Sequence, residues 1–490
     1  MKLTSEQQHI VDIVLAEDLN HNPIHSVVAV DACAGSGKTA LLQELTKQLN
    51  PENGIYLCYN KAIADESQSK FPTKIKCSTS HSLAYQNTIK PYNLTLGSFY
   101  WKSIKERIPY EDKILIIDIM KEWCMSEYDK FDLFIQAKKQ ANNAVADRYY
   151  EITKSYFNQM IKGQIPITHD GYLKMYHMLL AHNKIKHRKF DILLGDEIGD
   201  LAAVTFEIMK LIPAKRKVLV GDRFQNIYTF NYTINAFEKL PSKDIYSMSQ
   251  SFRCNTSIAK RINEFSHMYI DPNKDFIGIE YDNMSIESIA YISRNNVALI
   301  EKIIELSSQR IKYNLFRPAN SIFELILILL SVNKQQDRIT STEYKYLQDD
   351  IDHWNIDISI QSSFDTPFKY LRELYGEEPG FKTAFYLIRE YGPAMIFKAY
   401  DSAKENEKDE IKYPISIGTV FGTKGLEFDK VYILSDLNAS VDEILKDDIG
   451  HKKKYGDFSK DELTTLYLYY VACSRSRKEL INATHLPHIL

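Results

Sequence analysis

The chain has 490 residues, 44% hydrophobic and 26% charged, which speaks against disorder throughout and leaves length for about three domains. Lys plus Arg is 61 and Asp plus Glu is 64, so a formal charge of −3 excludes a protein that grips a polyanion by bulk positive charge, although a local basic groove remains open to it. The six cysteines form no C-x-x-C pair, which speaks against zinc sites and disulfide frameworks and for a reducing cytoplasm. The polar N-terminus lacks a signal-peptide core, and the longest greasy run, residues 325–330, is far short of a membrane span. A cytoplasmic protein is therefore expected.

In chain order, apolar residues at Ile10, Val11, Val14 and Leu15 predict a helix over 5–15. The fully apolar run 27–30 predicts a buried parallel strand. A Gly-containing loop, a helix over 39–49 and a strand over 54–58 follow. This β–loop–α–β order points to an α/β domain with a parallel sheet. From about 91 to 190 helix-like stretches dominate, and this window carries a charge of +5 against −8 for the remainder. Strands return at 190–195, 218–220 and 289–292. A mixed region, 310–405, ends in the charged run 404–410, expected to be a solvated loop. Strands resume at 415–421 and 431–434. The pattern is two α/β cores, each interrupted by a mainly helical insertion.

The strongest local signal is Ala32-Cys33-Ala34-Gly35-Ser36-Gly37-Lys38-Thr39, a Walker A pattern with Ala at its first glycine position. Small residues let backbone N–H groups close around phosphate oxygens at a helix N-terminus. Ala34, Gly35, Ser36 and Gly37 would cradle the phosphates of ATP, Lys38 would reach the β- and γ-phosphates, and Thr39 would ligate Mg²⁺. The strand over 190–195 ends in Asp196-Glu197. There Asp196 would hold Mg²⁺ and Glu197 would polarise the attacking water.

Together these motifs resemble the UvrD/Rep-type superfamily 1 DNA helicases. Leu3-Thr4-Ser5-Glu6-Gln7 is similar to their adenine-reading Q motif, with Gln7 as reader. Tyr59-Asn60-Lys61-Ala62 and Thr79-Ser80-His81-Ser82 resemble two DNA-contacting segments. Gly221-Asp222-Arg223-Phe224-Gln225-Asn226-Ile227-Tyr228-Thr229-Phe230 is similar to motif III, with Gln225 as γ-phosphate sensor and Phe230 as a base-stacking aromatic. Gln250-Ser251-Phe252-Arg253 resembles motif IV, with Phe252 on adenine and Arg253 as one arginine finger. Lys424-Gly425-Leu426-Glu427-Phe428 is similar to motif V, and Tyr470-Val471-Ala472-Cys473-Ser474-Arg475 to motif VI, with Arg475 as second finger. Within the family, Thr168-His169-Asp170-Gly171-Tyr172-Leu173-Lys174 and Asn60-Lys61-Ala62-Ile63 look most like the F-box DNA helicase branch and its bacterial relatives, although the phosphate loop begins at residue 32 and no F-box is expected ahead of it.

The resemblance implies two RecA-like P-loop NTPase domains with parallel sheets: 1–90 with 190–250, carrying a helical insertion at 91–189, and 251–310 with 405–490, carrying a small insertion at 311–404. It implies catalytic roles for Lys38, Glu197, Gln225, Arg253 and Arg475, with Glu427 joining the nucleotide contacts. Asn60, Lys61, Thr79, His81, Tyr228 and Phe230 are the implied DNA contacts. The implied activity is an ATP-dependent helicase or translocase moving 3′ to 5′ on single-stranded DNA or at a junction. A second reading is a nucleotide-gated DNA-sensing subunit that regulates a partner nuclease, for example in antiviral defence, or serves a repair protein. Departures from the family pattern are Gly199 where motif II usually carries Gln, Phe421 where motif V carries His, Asn231 in place of an Arg, and Asp461-Glu462 lying upstream of motif VI. They suggest that hydrolysis is retained while its coupling to DNA is altered. The short stretch of roughly 120 residues before motif V suggests weak duplex separation without a partner.

Overall fold

The computed structural model describes residues 3–58, 60–141, 145–228, 232–333, 347, 371–372, 375–376, 379–408, 412–446 and 451–487. Its internal contacts divide the chain into two units: Met1–Phe252 with Lys274–Ile277, and Arg253–Asn273 with Gly278–Leu490.

The first unit opens with α1 (Ser5–Leu15), started by a reciprocal capping box in which the Thr4 hydroxyl accepts from Gln7 N–H and the Gln7 side chain accepts from Thr4 N–H. The main sheet of this unit has six strands among the described residues, β1 (Val27–Ala32), β2 (Gly54–Cys58), β3 (Ile75–Thr79), β4 (Phe190–Gly195), β5 (Ala214–Gly221) and β6 (Ile245–Met248). All pair in parallel, in the order β3-β2-β4-β5-β1-β6. Their continuous apolar runs are buried because helices cover the sheet. Helices α2 (Lys38–Leu49), α3 (Lys61–Gln68) and α4 (Ser80–Asn87) link the first strands. Between β3 and β4 lies the helical stretch α5 (Tyr110–Met125), α6 (Phe131–Gln140), α7 (Asp147–Ile161) and α8 (His169–Ala181); α9 (Ala203–Leu211) follows β4. Trp123, Phe131, Phe134 and Phe157 pack ring to ring in the helical core.

That core also holds two buried basic side chains on α8. Lys174 Nζ donates to Ser126 Oγ at 3.1 Å and to the Ser126 carbonyl at 2.8 Å, and lies 4.1 Å from the Trp123 ring centre. Burial pulls its pKa down to about 7. Burial, helped by the charge of Lys174, pushes His177 down to about 4. His177 is 2% exposed. The unfolded chain binds a proton at this histidine near pH 6.5 and the folded chain does so only near pH 4. Its contribution to stability is thus complete above pH 6.5 and is lost as pH falls toward 4. Acidification to pH 5 should cost the unit ~2 kcal/mol through this residue alone. Denaturant unfolding of the parent and His177→Phe at pH 7.5 and pH 5 checks this; equal acid sensitivity in the two would refute it.

The second unit holds β7 (Ile289–Ser293), β8 (Asn314–Leu315), β9 (Ile415–Thr419), β10 (Phe428–Ile433) and β11 (Ser476–Ile481), all parallel in the order β8-β9-β7-β10-β11. Its helices are α10 (Thr256–Tyr269), α11 (Asn296–Ser308), α12 (Ala319–Asn333), α13 (Pro379–Lys408), α14 (Ser435–Ile444) and α15 (Lys460–Cys473). The greasy run 325–330 lies on α12, packed on α13. Among the described residues no helix is long and apolar enough to cross a membrane.

Two expectations need correction. The strand expected over 415–421 ends at Thr419, whose Oγ1 accepts from Gly422 N–H while Thr423 Oγ1 donates back to the Thr419 carbonyl. These local bonds turn residues Val420–Thr423 into a helical turn that carries Phe421 out of the strand. The charged run expected as a loop is helical through Lys408. Lys404 pairs with Glu407 at 3.0 Å, Glu407 also accepts from Ala319 N–H, and Asn406 is buried. Alternating charges at helical spacing read like a solvated loop, but here they anchor one helix to the start of another.

Candidate active site

The phosphate loop follows β1. Gly35 and Gly37 take φ of 75° and 79°, the left-handed region that favours glycine. Gly37 is the N-cap of α2 and supplies no side-chain cap, so the first N–H groups of that helix face outward without one. A Cβ on Gly37 would stand 3.3 Å from Gln7 Nε2 and 3.8 Å from the Phe252 ring, closing the space over the helix end. Ser36 Oγ is buried and finds no hydrogen-bond partner among the described residues. An uncapped helix N-terminus, an orphaned hydroxyl and an open glycine cradle suit a phosphate chain.

Neighbouring segments hold this loop in shape. Cys33 N–H donates to the Met248 carbonyl (2.9 Å), Ser251 Oγ to the Ala34 carbonyl (2.7 Å), Phe252 N–H to the Gly35 carbonyl (2.9 Å) and Gln7 Nε2 to the Ser36 carbonyl (3.1 Å). Gln7 is 1% exposed, with its amide oxygen on Thr4 N–H. Glu6 accepts from both the backbone N–H and the hydroxyl of Ser249, at 2.9 and 2.6 Å. Sequence reasoning missed Glu6, Ser249 and Ser251 as braces. Their only signal was adjacency to Gln7 and Phe252.

The acidic pair stands at the end of β4. Asp196 accepts from Tyr56 O–H at 2.7 Å and from Glu197 N–H at 2.9 Å. Glu197 adopts φ of 55°, an uncommon conformation for a side-chain-bearing residue, and this turn carries its carboxylate to 3.4 Å from Lys38 Nζ. Burial works against the Lys38 ammonium, but the carboxylates of Glu197, Asp222 and Asp196 outweigh it and raise its pKa. Burial, followed by the charge of Glu197, raises the pKa of Asp196. Thr39, on the first turn of α2, and Asp196 each offer a hard oxygen of the kind Mg²⁺ takes beside phosphates.

Gln225 comes from the turn after β5, its Nε2 donating to Asp222 Oδ2 at 2.9 Å. Asp222 is fully buried, and its pKa is lowered against burial by the charges of Lys274 and Lys38. This turn also explains Gly199. A Cβ there would stand 2.4 Å from the Asp222 carbonyl oxygen, and a Cβ on Gly221 would stand 2.7 Å from Gly199 N. The two backbones touch, so the glycine is a steric requirement of this packing and not simply a lost polar group.

In the second unit Arg253 Nε pairs with Glu427 at 2.9 Å, and its Nη1 donates to the Ser474 carbonyl at 3.3 Å. Arg475 is 1% exposed and donates to the Val471 carbonyl, the Leu426 carbonyl and Ser474 Oγ. The structure thus gathers Gln7, 34–39, Asp196, Glu197, Gln225 and Phe252 in the first unit. It gathers Arg253, Glu427 and Arg475 in the second. The acidic pair expected near motif VI has a local use, since Glu462 closes a capping box with Ser459 and binds Lys453 at 2.5 Å.

Among the expected DNA contacts, Asn60 is exposed, caps α3 through Ile63 N–H, and is followed by exposed Lys61. Thr79 is buried as the cap of α4. His81 packs edge-on against Tyr172, and burial lowers its pKa, so it brings a neutral imidazole. His81 and Tyr228 line one cavity of about 580 Å³ together with Lys121 and Asp170. Phe230, Thr229, Asn231 and Tyr59 lie outside the described residues. The basic side chains of Lys184, Lys186, Arg188 and Lys189 are exposed just before β4.

A family model described as an AAA domain matches residues 17–231. The chain is 24% identical to F-box DNA helicase 1 of Gallus gallus over all of this chain and 50% of that protein. It is 24% identical to F-box DNA helicase protein 1 of Schizosaccharomyces pombe over 98% of this chain and 57% of that protein. A probable DNA helicase II homolog of Mycoplasma pneumoniae matches at 24% identity over 46% of this chain and 38% of its own length. The chain thus spans about half the length of the two F-box relatives.

Proposed function

Because the chain is related to the UvrD/Rep-type superfamily 1 DNA helicases, we propose that it hydrolyses ATP to move 3′ to 5′ along single-stranded DNA. The observation that carries this reading is the meeting of Lys38, Asp196, Glu197 and Gln225 at the C-terminal ends of β1, β4 and β5, around the uncapped start of α2. Ligands of open parallel sheets bind at those strand ends.

The geometry supports the following roles. The loop 34–39 and the helix N-terminus bind the phosphates, and Lys38 carries a full charge to them. Glu197, held at 3.4 Å from Lys38, orients water for attack, and Gln225 reads the terminal phosphate from its anchor on Asp222. Thr39 and Asp196 would hold Mg²⁺, which neutralises phosphate charge when bound. Gln7 and Phe252 flank the loop where a base would sit. Arg253 and Arg475 are the finger candidates, with Glu427 beside Arg253. We assign residues 1–90 with 190–250 and 251–310 with 405–490 to two RecA-like domains, and 91–189 and 311–404 to their insertions. Exposed Asn60, Lys61 and the basic strip 184–189 supply backbone contacts to DNA, while His81 and Tyr228 offer rings to bases.

The test is ATP turnover by the purified chain, titrated with single-stranded, duplex and forked DNA, with displacement of a 3′- or 5′-end block reporting polarity. Turnover that rises at least about tenfold with single-stranded DNA, and release at the 5′ end only, is the expected result. Turnover indifferent to every DNA would remove the translocase reading.

A further inference from the structure

Lys274 lies outside every motif above, yet it is 8% exposed and sits at the centre of a buried charge cluster of the first unit. Its Nζ donates to Asp31 Oδ1 at 2.6 Å and to Asp222 Oδ1 at 2.7 Å, and lies 4.4 Å from the Phe224 ring centre. Arg223 closes the cluster, its backbone N–H on Asp31 Oδ1 at 3.2 Å and its Nε 2.5 Å from Asp31 Oδ2. Asp31 is the penultimate residue of β1, directly before the phosphate-loop motif. Asp222 holds Gln225 on its other oxygen and also faces Lys38. The segment that delivers Lys274 is four residues long, and the chain on either side of it belongs to the other unit.

We propose that Lys274 is a positioning residue for the reading of the terminal phosphate: it neutralises Asp222, so that the Gln225 amide stays aimed and the Lys38 ammonium is left for the nucleotide. The proposal rests on the ATPase reading given above. Two carboxylates compete for the cations of this site. With Lys274 in place, Asp222 and Asp31 are satisfied from below and the phosphate side keeps Lys38. Without it, Asp222 becomes a buried charge whose nearest remaining cations include Lys38 itself. A buried charge that loses its partner is strongly destabilising, which favours recruitment of another cation. Lys38 would then turn away from the phosphates, and Asp222 would release Gln225 or rotate with it. A diphosphate has no terminal phosphate for Gln225 to read, so it should lose only the Lys38 contact to its β-phosphate, while a triphosphate loses both.

The experiment compares the parent chain with Lys274→Gln and with Lys274→Gln/Asp31→Asn, in which one carboxylate is removed with the ammonium to keep the buried charge balanced. Affinity for ADP and for a non-hydrolysable ATP analogue, both with Mg²⁺, is measured beside kcat and KM for ATP. The expected result is analogue affinity about tenfold weaker, a clearly smaller loss for ADP, and kcat about tenfold lower, the loss that follows when a hydrogen bond to a charged group is misplaced. Should the single variant fail to fold, the double variant carries the same expectation. Equal weakening of both nucleotides, or parent-like kcat in either folded variant, overturns the positioning role. A parent chain that neither binds nor turns over ATP overturns the ATPase reading and this role with it, which separates the two failures.

Discussion

Lys38→Ala lowers ATP turnover by at least about a hundredfold, the loss typical of removing one preorganised cationic or hydrogen-bonding group from a phosphoryl-transfer site. The ammonium is enclosed by Glu197, Asp222 and Asp196, and this cage keeps it protonated against burial. Its removal does two things at once. The terminal phosphate loses its fixed counter-charge, and three carboxylates are left facing a polyanionic substrate. Nucleotide affinity therefore falls with kcat. The fold should survive, because Asp222 keeps Lys274 and Asp196 keeps the Tyr56 hydroxyl. Steady-state turnover with circular dichroism of the purified variant checks both halves. A folded variant within about threefold of the parent rate would sink the assignment of this loop as the catalytic phosphate site.

Gly199→Gln, which installs the residue usual in the helicase family that the sequence resembles, should damage the protein, not improve it. The Cβ alone meets the Asp222 carbonyl oxygen at 2.4 Å and the Asp222 carbonyl carbon at 3.0 Å, and both are backbone atoms that cannot swing aside. Overpacking of this kind costs about 1–3 kcal/mol, or several degrees of melting temperature in a unit of this size. Relief of the clash would push the Asp222 turn away and take the Gln225 amide with it, so turnover should drop by about tenfold or more, with Gly199→Ala between the parent and Gly199→Gln. Thermal melts and turnover of both variants read this directly. A Gly199→Gln protein as stable as the parent and more strongly stimulated by DNA would mean that the glycine is a missing polar link after all.

What was legible in the sequence is what depends on neighbours in the chain. The helix over 5–15, the strand over 54–58 and the strand–loop–helix around Lys38 follow from local periodicity, and the structure reproduces them. The order of small and charged residues at 32–39 and 196–197 carries its chemistry on its face, because phosphate binding needs consecutive N–H groups. Gly199 was readable as a departure but not in its cause, since the atom that excludes a side chain belongs to Asp222, more than twenty residues later. Lys274 left no trace at all: one lysine in a loop looks solvated until the fold shows Asp31 and Asp222 on either side of it. Phe421 misled for the opposite reason. Its apolar neighbours continue the strand pattern, while the hydroxyls of Thr419 and Thr423 end the strand.

The helical stretch between β3 and β4 leaves the sheet at the C-terminal end of an edge strand and returns at the N-terminal end of a strand two positions inward. Its two attachments are therefore separated by roughly 10 Å across the strands and 16 Å along them. Two attachments on opposite rims restrain a swinging motion more than a single hinge would. A length of DNA gripped by the basic strip 184–189 would then be held in fixed register with the phosphate loop on the same sheet, and it could advance past this unit only when the grip lets go.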